Sequence, residues 1–465
     1  MANNIFYGLN IANNTLKAQT SVLNLTAHNI ANANTPGYSR QQVQLASIDS
    51  GLGQGQALIG NVNVGGGVLA RDVFRSRFAL YDEIYREENQ NLNYNIKIEE
   101  FMNQVEILFD EPSDRGLGGI MTDFFNGWLD VANSPQNMAA RQSLYSVATE
   151  MTERLHRIYN SIVNMREDID VEVSSMPDDI NEISAEIANL NDSIRIVESQ
   201  GVRANDLRDK RDLLIDNLSE YANVRSVEQS DGTVTVLVGS IVVVEHDSYV
   251  TLSTSTEVSD QSGLKKTKIV TPDGTEFIPK EGKMGALLNI RDTVLVNILG
   301  DLNTFTENIV NTINFDHAIG YGLDGGTGYD FFDPDFTKAY NIKVSEDVRD
   351  VSHIAVSADS SKGDNTNALA IFELRDQRVI DNRYSIKEYY NSMIAELGVL
   401  AKEAKSARMN EELLVSQIDN ARESVKGVNI DEELVHMIET QRIYQSAARV
   451  ITVVDSLIEE IVNLV

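Results

Sequence analysis

The sequence predicts a mainly α fold: an elongated antiparallel helical bundle whose N- and C-terminal helices pair as a coiled coil, with a small inserted β domain. Three observations lead there. Apolar residues recur at alternating intervals of four and three at both ends of the chain and in long central stretches, the spacing of packed helical seams. The period changes to two only between about residues 223 and 280. The two terminal seams lie at opposite ends of a 465-residue chain, so the chain must fold back for them to meet.

The first seam is Ile5, Leu9, Ala12, Leu16, Gln19, Leu23, Thr26 and Ile30, and it stops at Asn34-Thr35-Pro36-Gly37. Proline and glycine end a helix there. Residues 41–70 are glycine-rich and non-helical, and helical patterning returns near Phe74. Asp110-Glu111-Pro112-Ser113 breaks it, and a short amphipathic helix carries Met121, Phe124, Phe125, Trp128 and Leu129. Leu144, Ala148, Met151, Leu155, Ile158, Ile162, Met165 and Ile169 form an uninterrupted seam. Pro177 is expected to end that helix, because a ring nitrogen cannot donate and clashes one turn back. A second seam follows from Ile180 to Val197, and a helix in new phase holds Leu207, Leu214, Leu218 and Tyr221.

Alternation at Thr233–Val238, Ile241–Val244 and Tyr249–Leu252, with turns at Asp231-Gly232 and Asp273-Gly274, marks the β insertion. Helix resumes near Gly285 and runs to Asn314, and residues 315–365 are irregular and rich in Gly and Asp. A short helix spans 367–374. The longest seam runs through Ile386, Tyr390, Met393, Leu397, Leu400, Ala404, Ala407, Glu411, Leu414, Ile418, Ala421 and Val425. After Gly427 comes the terminal seam: Ile430, Leu434, Met437, Tyr444, Ala448, Ile451, Ile458, Val462 and Val465, interrupted at Gln441 and Asp455. A second stripe, Val450, Val454, Leu457, Ile461 and Leu464, lies beside it and calls for a second partner. The layout is nested. A terminal assembly unit (1–40 with 428–465) encloses a helical body (41–222 with 281–427), which carries the β domain (223–280). Residues 315–365 are a candidate for part of an outer β domain.

Composition narrows the function. With 39 basic and 70 acidic residues the net charge is −31, a surface that repels a phosphate backbone, so no nucleic acid is expected. No apolar run is long enough to span a membrane. The absence of cysteine excludes disulfides, thiolate metal sites and cysteine nucleophiles. The first acidic residue is Asp49, although the chain average would place about seven before it. An acid-free helix rich in Asn, Thr, Gln and Ala points to burial on more than one side. The six histidines show no ligand spacing, and no nucleophile elbow or phosphate loop occurs. Gly325-Gly326-Thr327-Gly328-Tyr329-Asp330 fits one unit of a calcium-binding β-roll, but such rolls need stacked copies, so a turn-rich loop is favoured. No catalytic residue, cofactor or metal site is expected.

Asn29-Ile30-Ala31-Asn32-Ala33-Asn34-Thr35-Pro36-Gly37-Tyr38 resembles the N-terminal motif shared by bacterial flagellar rod, hook and hook-associated proteins. Gln441-Arg442-Ile443-Tyr444-Gln445-Ser446-Ala447-Ala448-Arg449-Val450-Ile451 is similar to their C-terminal motif. Tyr38-Ser39-Arg40-Gln41, Asn205–Asp212, Gly285–Asp292 and Gly363–Ala368 resemble the hook-associated branch. His28 stands where an amide or serine is more usual, and Asn289 replaces a common Asp. The resemblance implies a structural, non-enzymatic, secreted protein of the flagellum. It implies a homo-oligomeric ring at the hook–filament junction that contacts hook protein, a neighbouring junction protein and the filament. It further implies unfolded passage through the flagellar type III export apparatus, with a chaperone on the C-terminal region at Val450, Val454, Leu457 and Ile461. The assembly interface is expected at Ile5, Leu9, Leu16, Leu23, Asn29, Ile30, Asn32, Asn34, Thr35, Pro36, Gly37 and Tyr38. Its C-terminal half is expected at Leu434, Ile438, Gln441, Tyr444, Ile451, Val454, Leu457, Ile461 and Leu464.

Two rivals remain at this stage. A hook or distal-rod protein shares both end motifs but lacks the long central seams. A generic coiled-coil scaffold or adhesin would self-associate through those central helices. Energetics add one expectation. About ten buried side chains give roughly 15–30 kcal/mol gross, while ordering over thirty residues costs about 1–2 kcal/mol each. Both ends are therefore expected to be largely disordered in a free monomer and to fold when neighbours supply a second seam.

Overall fold

The computed structural model describes residues 2–48, 58–59, 62–63, 65–111, 113, 116–258, 265–380 and 382–463, without the side chains of 2–5, 58–59, 62–63 and 461–462. α1 (Ala2–Asn32) leads into β1 (Gln41–Ser47), which pairs antiparallel with β4 (Val68–Arg75). The short β2 (Leu58–Ile59) and β3 (Val62–Asn63) pair with each other between them. α2 (Ala79–Phe109) begins a few residues later than the patterning near Phe74 suggests, and stops at Asp110 in the left-handed region (φ 54°). α3 (Leu117–Asn133) buries Phe124, Phe125 and Trp128 in the core.

α4 (Met138–Glu198) is one helix, capped by the Asn137 side chain, and Pro177 lies inside it. The expected stop at Pro177 is thus overturned. The buried stripe runs on through Ile169, Val173, Met176, Ile180, Ser184, Ile187, Asn191 and Ile194 without losing its face. An internal proline costs about 3 kcal/mol. Burial of Val173, Met176 and Ile180 on either side, at about 1.5–3 kcal/mol each, outweighs it. α5 (Asn205–Tyr221) then returns along α4.

The insertion is an antiparallel meander, β5 (Val224–Glu228), β6 (Val234–Val238), β7 (Ile241–Glu245) and β8 (Ser248–Tyr249), followed by the hairpin β9 (Ser253–Val258) and β10 (Lys265–Val270). It packs directly on α4. Asn191 Nδ2 donates to Val234 O and His246 O (2.8 and 2.6 Å), and Asn181 makes a matching pair with Leu252. Val236, Val243 and Val244 join the helical core, so sheet and helices share one interior.

α6 (Gly282–Asn289) passes through a π turn at Ile290–Val294 into α7 (Leu295–Ile319). The wide turn swings Arg291 inward, where its Nη1 reaches Asp170 Oδ1 and Thr267 O, both at 2.7 Å. Residues 320–365 are mostly turns and 3-10 segments, yet Phe331 and Phe332 are fully buried against Phe124 and Trp128. Arg141, 1% exposed, holds this segment by donating to Val351 O and Ile354 O. α8 (Thr366–Glu373) and the pair β11 (Arg378–Ile380) and β12 (Tyr384–Ser385) lead to α9 (Ile386–Lys426), which starts with a Ser385–Glu388 capping box. α10 (Ile430–Asn463) closes the chain.

α9 lies along α2. Its expected seven-residue seam holds only near the start, through Ile386, Tyr390, Met393, Leu397 and Ala404. Beyond that, Ala404, Arg422 and Lys426 are buried and, with half-buried Arg408, Glu411, Val415 and Asp419, follow an eleven-residue repeat, while the expected Ala407, Ile418 and Ala421 stay half-buried beside it. That repeat matches a nearly straight helix, whereas a strict heptad needs supercoiling. Leu400, Leu414 and Val425 therefore turn outward and are about 40% exposed.

α1 and α10 pack side by side and antiparallel. The seam differs from the predicted one by a single residue in one of its two columns. On α1 the buried positions are Ala12, Ala18, Gln19, Val22, Thr26 and Asn29, and Leu16, Leu23 and Ile30 are only half-buried. On α10 they are Glu433, Thr440, Ala447 and Val454, beside half-buried Met437, Ile451 and Ile458. Val454 belongs to this intramolecular seam and not to the outer stripe. Leu434 and Gln441 face outward. Small and hydrogen-bonding side chains hold the close contact, and larger apolar ones lie outside it.

Candidate assembly joint

The N-terminal motif meets the start of the terminal helix where α1 ends, β1 begins and α9 gives way to α10. Tyr38 O–H donates to Asn29 Oδ1 (2.8 Å), with His28 Nδ1 3.0 Å from the same hydroxyl. Asn29 accepts the Gln41 N–H at its Oδ1 (3.1 Å) and donates from Nδ2 to Gln41 O (2.9 Å) and Glu433 Oε2 (3.1 Å). Arg40 Nε donates to Glu433 Oε1 at 2.7 Å, and Arg40 N–H closes on Lys426 O at 2.7 Å. Glu433, 2% exposed, is thus the point where α10 is fastened to α1 and β1. A buried carboxylate needs this pairing, because its desolvation is otherwise costly.

The turn between α1 and β1 is sterically specified. Gly37 has φ +78°, and a Cβ there would sit 3.1 Å from Leu213 Cβ on α5. Ser39 then donates its N–H and Oγ–H to the two oxygens of Asp209 (2.9 and 2.8 Å), and Gln41 Nε2 donates to Asp206 Oδ1 (2.7 Å). Aspartates 206, 209, 212 and 216 recur every three or four residues, which puts them along one side of α5.

Asp209, Asp212 and Asp216, joined by Asp82, face Arg75, Arg77, Arg86 and Arg422. Arg75 Nη1 lies 2.8 Å from both Asp209 and Asp212. Arg77 binds Asp82 (2.6 Å) and Asp212 (3.1 Å), and Arg86 binds Asp216 (2.6 Å). Arg422 of α9 bridges Asp82 (2.9 Å) and Asp216 (2.5 Å) and stacks over the Tyr85 ring at 4.0 Å. These eight groups cancel in charge and lock β4, α2, α5 and α9 together. Burial opposes ionisation of Asp212 most strongly, yet Arg77, Arg75, Arg86 and Arg211 hold its carboxyl well below the usual range. Asp82 is likewise lowered against burial by Arg77, Arg422 and Arg86. Burial, followed by Asp206, Asp209 and Glu433, pushes the Tyr38 phenol well above its ordinary value, so it stays a donor.

Of the predicted interface residues, Asn29, Asn32, Gly37 and Tyr38 meet in this joint, and Asn32 Nδ2 donates back to His28 O at 3.0 Å. Asn34, Thr35 and Pro36 form its exposed turn. Leu9, Leu16, Leu23 and Ile30 run half-buried along α1. Leu434, Ile438, Gln441, Tyr444, Val450 and Leu457 are exposed on α10, with Ile451 half-buried and Val454 buried. The side chains of Ile5 and Ile461, and Leu464 as a whole, lie outside the described residues. Glu433, Arg75, Arg77, Arg86, Asp82, Asp216 and Arg422 escape sequence reasoning. The three- and four-residue aspartate spacing on α5 is the one signal that could have revealed them.

A cleft of about 760 Å³ opens beside the network between α2, α5 and β5, lined by Arg75, Arg77, Arg86, Asp82 and Asp212 among others. Those charged groups are already engaged with one another, which leaves no free acid, base or nucleophile among them. No cluster of potential metal ligands occurs among the described residues.

Comparison with known proteins fits this geometry. A family model described as the flagellar hook-associated protein FlgK helical domain matches residues 102–332. A flagella basal body rod protein model matches 9–38, and a flagellar basal body rod FlgEFG protein C-terminal model matches 424–464, so the two meet at the joint. The chain is 28% identical to flagellar hook-associated protein 1 of Bacillus subtilis (strain 168), covering 98% of both chains. It is 22% identical to the protein of that name from Salmonella typhimurium, over 98% of this chain and 99% of that one. The flagellar hook junction protein FlgK from Burkholderia pseudomallei, of solved structure, shares the fold, with a TM-score of 0.64, 15% identity, and coverage of 75% of this chain and all of that one. Matched by flagellar models near both ends and over residues 102–332, and by relatives so named along 98% of its length, the chain belongs to the flagellar hook-associated protein 1 family.

Proposed function

We propose that this chain is a structural subunit of the bacterial flagellum that forms a ring at the hook–filament junction and joins hook to filament. The observation that carries this reading is the joint. The N-terminal motif at Asn29 and the first turn of the terminal helix at Glu433, 404 residues apart, are hydrogen-bonded to each other, and the segment that follows the motif is fastened to the body through Asp209. Such a joint presents a paired-helix arm at a defined angle to a rigid body, which suits a subunit packing among copies of itself. The chain does no chemistry in this role and needs no cofactor. Its neighbours are copies of itself, hook protein, a second junction protein and the filament.

Export fits the same reading. The chain passes unfolded through the flagellar export apparatus, and an export chaperone covers the C-terminal helix until assembly. Val450 and Leu457, exposed at 46% and 44%, are the apolar surface it would hold. Val454, buried against α1, joins that surface only while the terminal pair is open, and Ile461 is the fourth position expected to take part. The test is electron microscopy of cells lacking the chain. Hooks without filaments, with filament subunits free in the medium, are expected; normal filaments on the hooks would defeat the reading.

A further inference from the structure

Neither helix of the terminal pair is covered on every side. On α1, one side forms the seam to α10. A second side is covered by the β1–β4 hairpin, where Asn14 Nδ2 donates to Gly66 O at 3.1 Å and Gly67 lies against Ile11. A third side carries Leu9, Leu16, Leu23 and Ile30 at seven-residue spacing, half-buried at the edge of the seam. Phe6, Asn13, Thr20 and Ala27 complete its four-three rhythm and are exposed. On α10, Ile443, Val450 and Leu457 recur at the same seven-residue spacing, 44–47% exposed, with Val453 alongside.

The two columns point to opposite faces of the pair. With about 3.6 residues per turn, each lies roughly a quarter turn from its own seam. Seen along its own chain direction, the α1 column is clockwise of the seam and the α10 column anticlockwise. In an antiparallel pair those senses place them on opposite sides.

We propose that these columns are the two halves of one contact between copies: the Leu9–Leu16–Leu23 column of one copy packs on Ile443–Val450–Leu457 of the next. The inference rests on the assembly reading above and names its contact surface. Register supports it. Within one copy Asn29 lies opposite Glu433. Copies related by a lateral step keep that antiparallel relation. Leu23 then faces Ile443, Leu16 faces Val450 and Leu9 faces Leu457, all with the same sum of residue numbers and within a turn of the intramolecular register. Charge supports it too. α1 has no carboxylate, and Lys17 is its one residue carrying a fixed charge. α10 holds seven carboxylates against two arginines, and Glu439 and Glu460 flank its free column. Two α10 columns facing each other would bring those glutamates together, whereas an α1 column brings none. A contact between unlike surfaces also repeats head to tail, as a ring requires.

The natural chain has no cysteine, so introduced thiols are unambiguous. Cells would carry Leu16→Cys with Val450→Cys in one chain, and a second strain Leu23→Cys with Ile443→Cys. Motility confirms that each variant assembles, and isolated flagella are then oxidised and run without reductant. A ladder of linked multimers is expected from either double variant, and none from any single variant. Co-expressed single variants should give the mixed dimer. Dimers from the single variants, or unlinked chains in motile cells of both strains, would overturn the proposal and leave the junction role standing. Absence of the natural chain from isolated hook–filament complexes would overturn both.

Discussion

Arg422 is predicted to be the side chain whose loss weakens the body most selectively. It is 4% exposed, bonded to Asp82 at 2.9 Å and Asp216 at 2.5 Å, and its guanidinium lies 4.0 Å from the Tyr85 ring centroid. Replacing it with Met keeps much of the volume but leaves a network of four aspartates and three arginines. Breaking a buried ion pair by removing one partner costs about 3–5 kcal/mol. Asp82 keeps Arg77 and Asp216 keeps Arg86, which places Arg422→Met near the lower figure, about 3 kcal/mol. Urea unfolding of the full chain at pH 7 measures it, with Arg349→Met as a control at the exposed pair with Glu346, where little change is expected. The pH dependence identifies the cause. The folded pKa of Asp82 is depressed, in part by Arg422, so that stabilisation is complete above the ordinary carboxylate range and is lost as pH falls toward the folded value. The gap between natural chain and variant should therefore narrow below about pH 4. A loss under 1 kcal/mol, or a gap that does not change with pH, would refute the reasoning.

Other outcomes follow from the same physics. His317 is fully buried, donates from Nδ1 to Tyr329 O and accepts the Ala355 N–H at Nε2, and burial pulls its pKa down from 6.5 to about 4. The unfolded chain takes up that proton first, so stability should fall by up to about 3 kcal/mol between pH 6.5 and 4; an equal slope in His317→Gln would show that another group is responsible. Gly37→Ala should loosen the joint by about 1–3 kcal/mol, because φ +78° and Leu213 both oppose a Cβ, and faster amide exchange at 38–41 reads it. In a verified monomer, residues 430–460 should show disordered amide shifts; sharp signals from a folded helix would sink the coupling of folding to assembly.

Much of the architecture is legible in the sequence because apolar spacing dictates it. The seam from Leu144 to Ile169 is buried as spaced, and the period-two runs at 233–238 and 241–244 are paired strands of the insertion. Three features are not legible, each for a physical reason. Pro177 costs less than the burial around it, which a local rule cannot weigh. The α9 frame drifts because an eleven-residue repeat and a seven-residue one agree over the first few turns and diverge later. On α1 the predicted Ala12, Gln19 and Thr26 are buried, but Val22 and Asn29 replace Leu23 and Ile30, and on α10 Glu433, Thr440 and Ala447 replace Leu434, Gln441 and Ala448, because hydrogen bonding and close packing select the residue one position earlier. The end motifs are readable as strings, but their reason is not. Asn29 and Tyr38 acquire meaning from Glu433, and Ser39 from Asp209, partners 404 and 170 residues away. No periodicity links such positions.

The most direct test of the central claim removes the two ends together. A chain lacking 1–40 and 428–465 should keep the helical content and cooperative melting of the body, run as a monomer, and fail to restore filaments to cells lacking the natural chain. Self-association through α2, α4 or α9 in that truncated chain, or restored filaments, would contradict it.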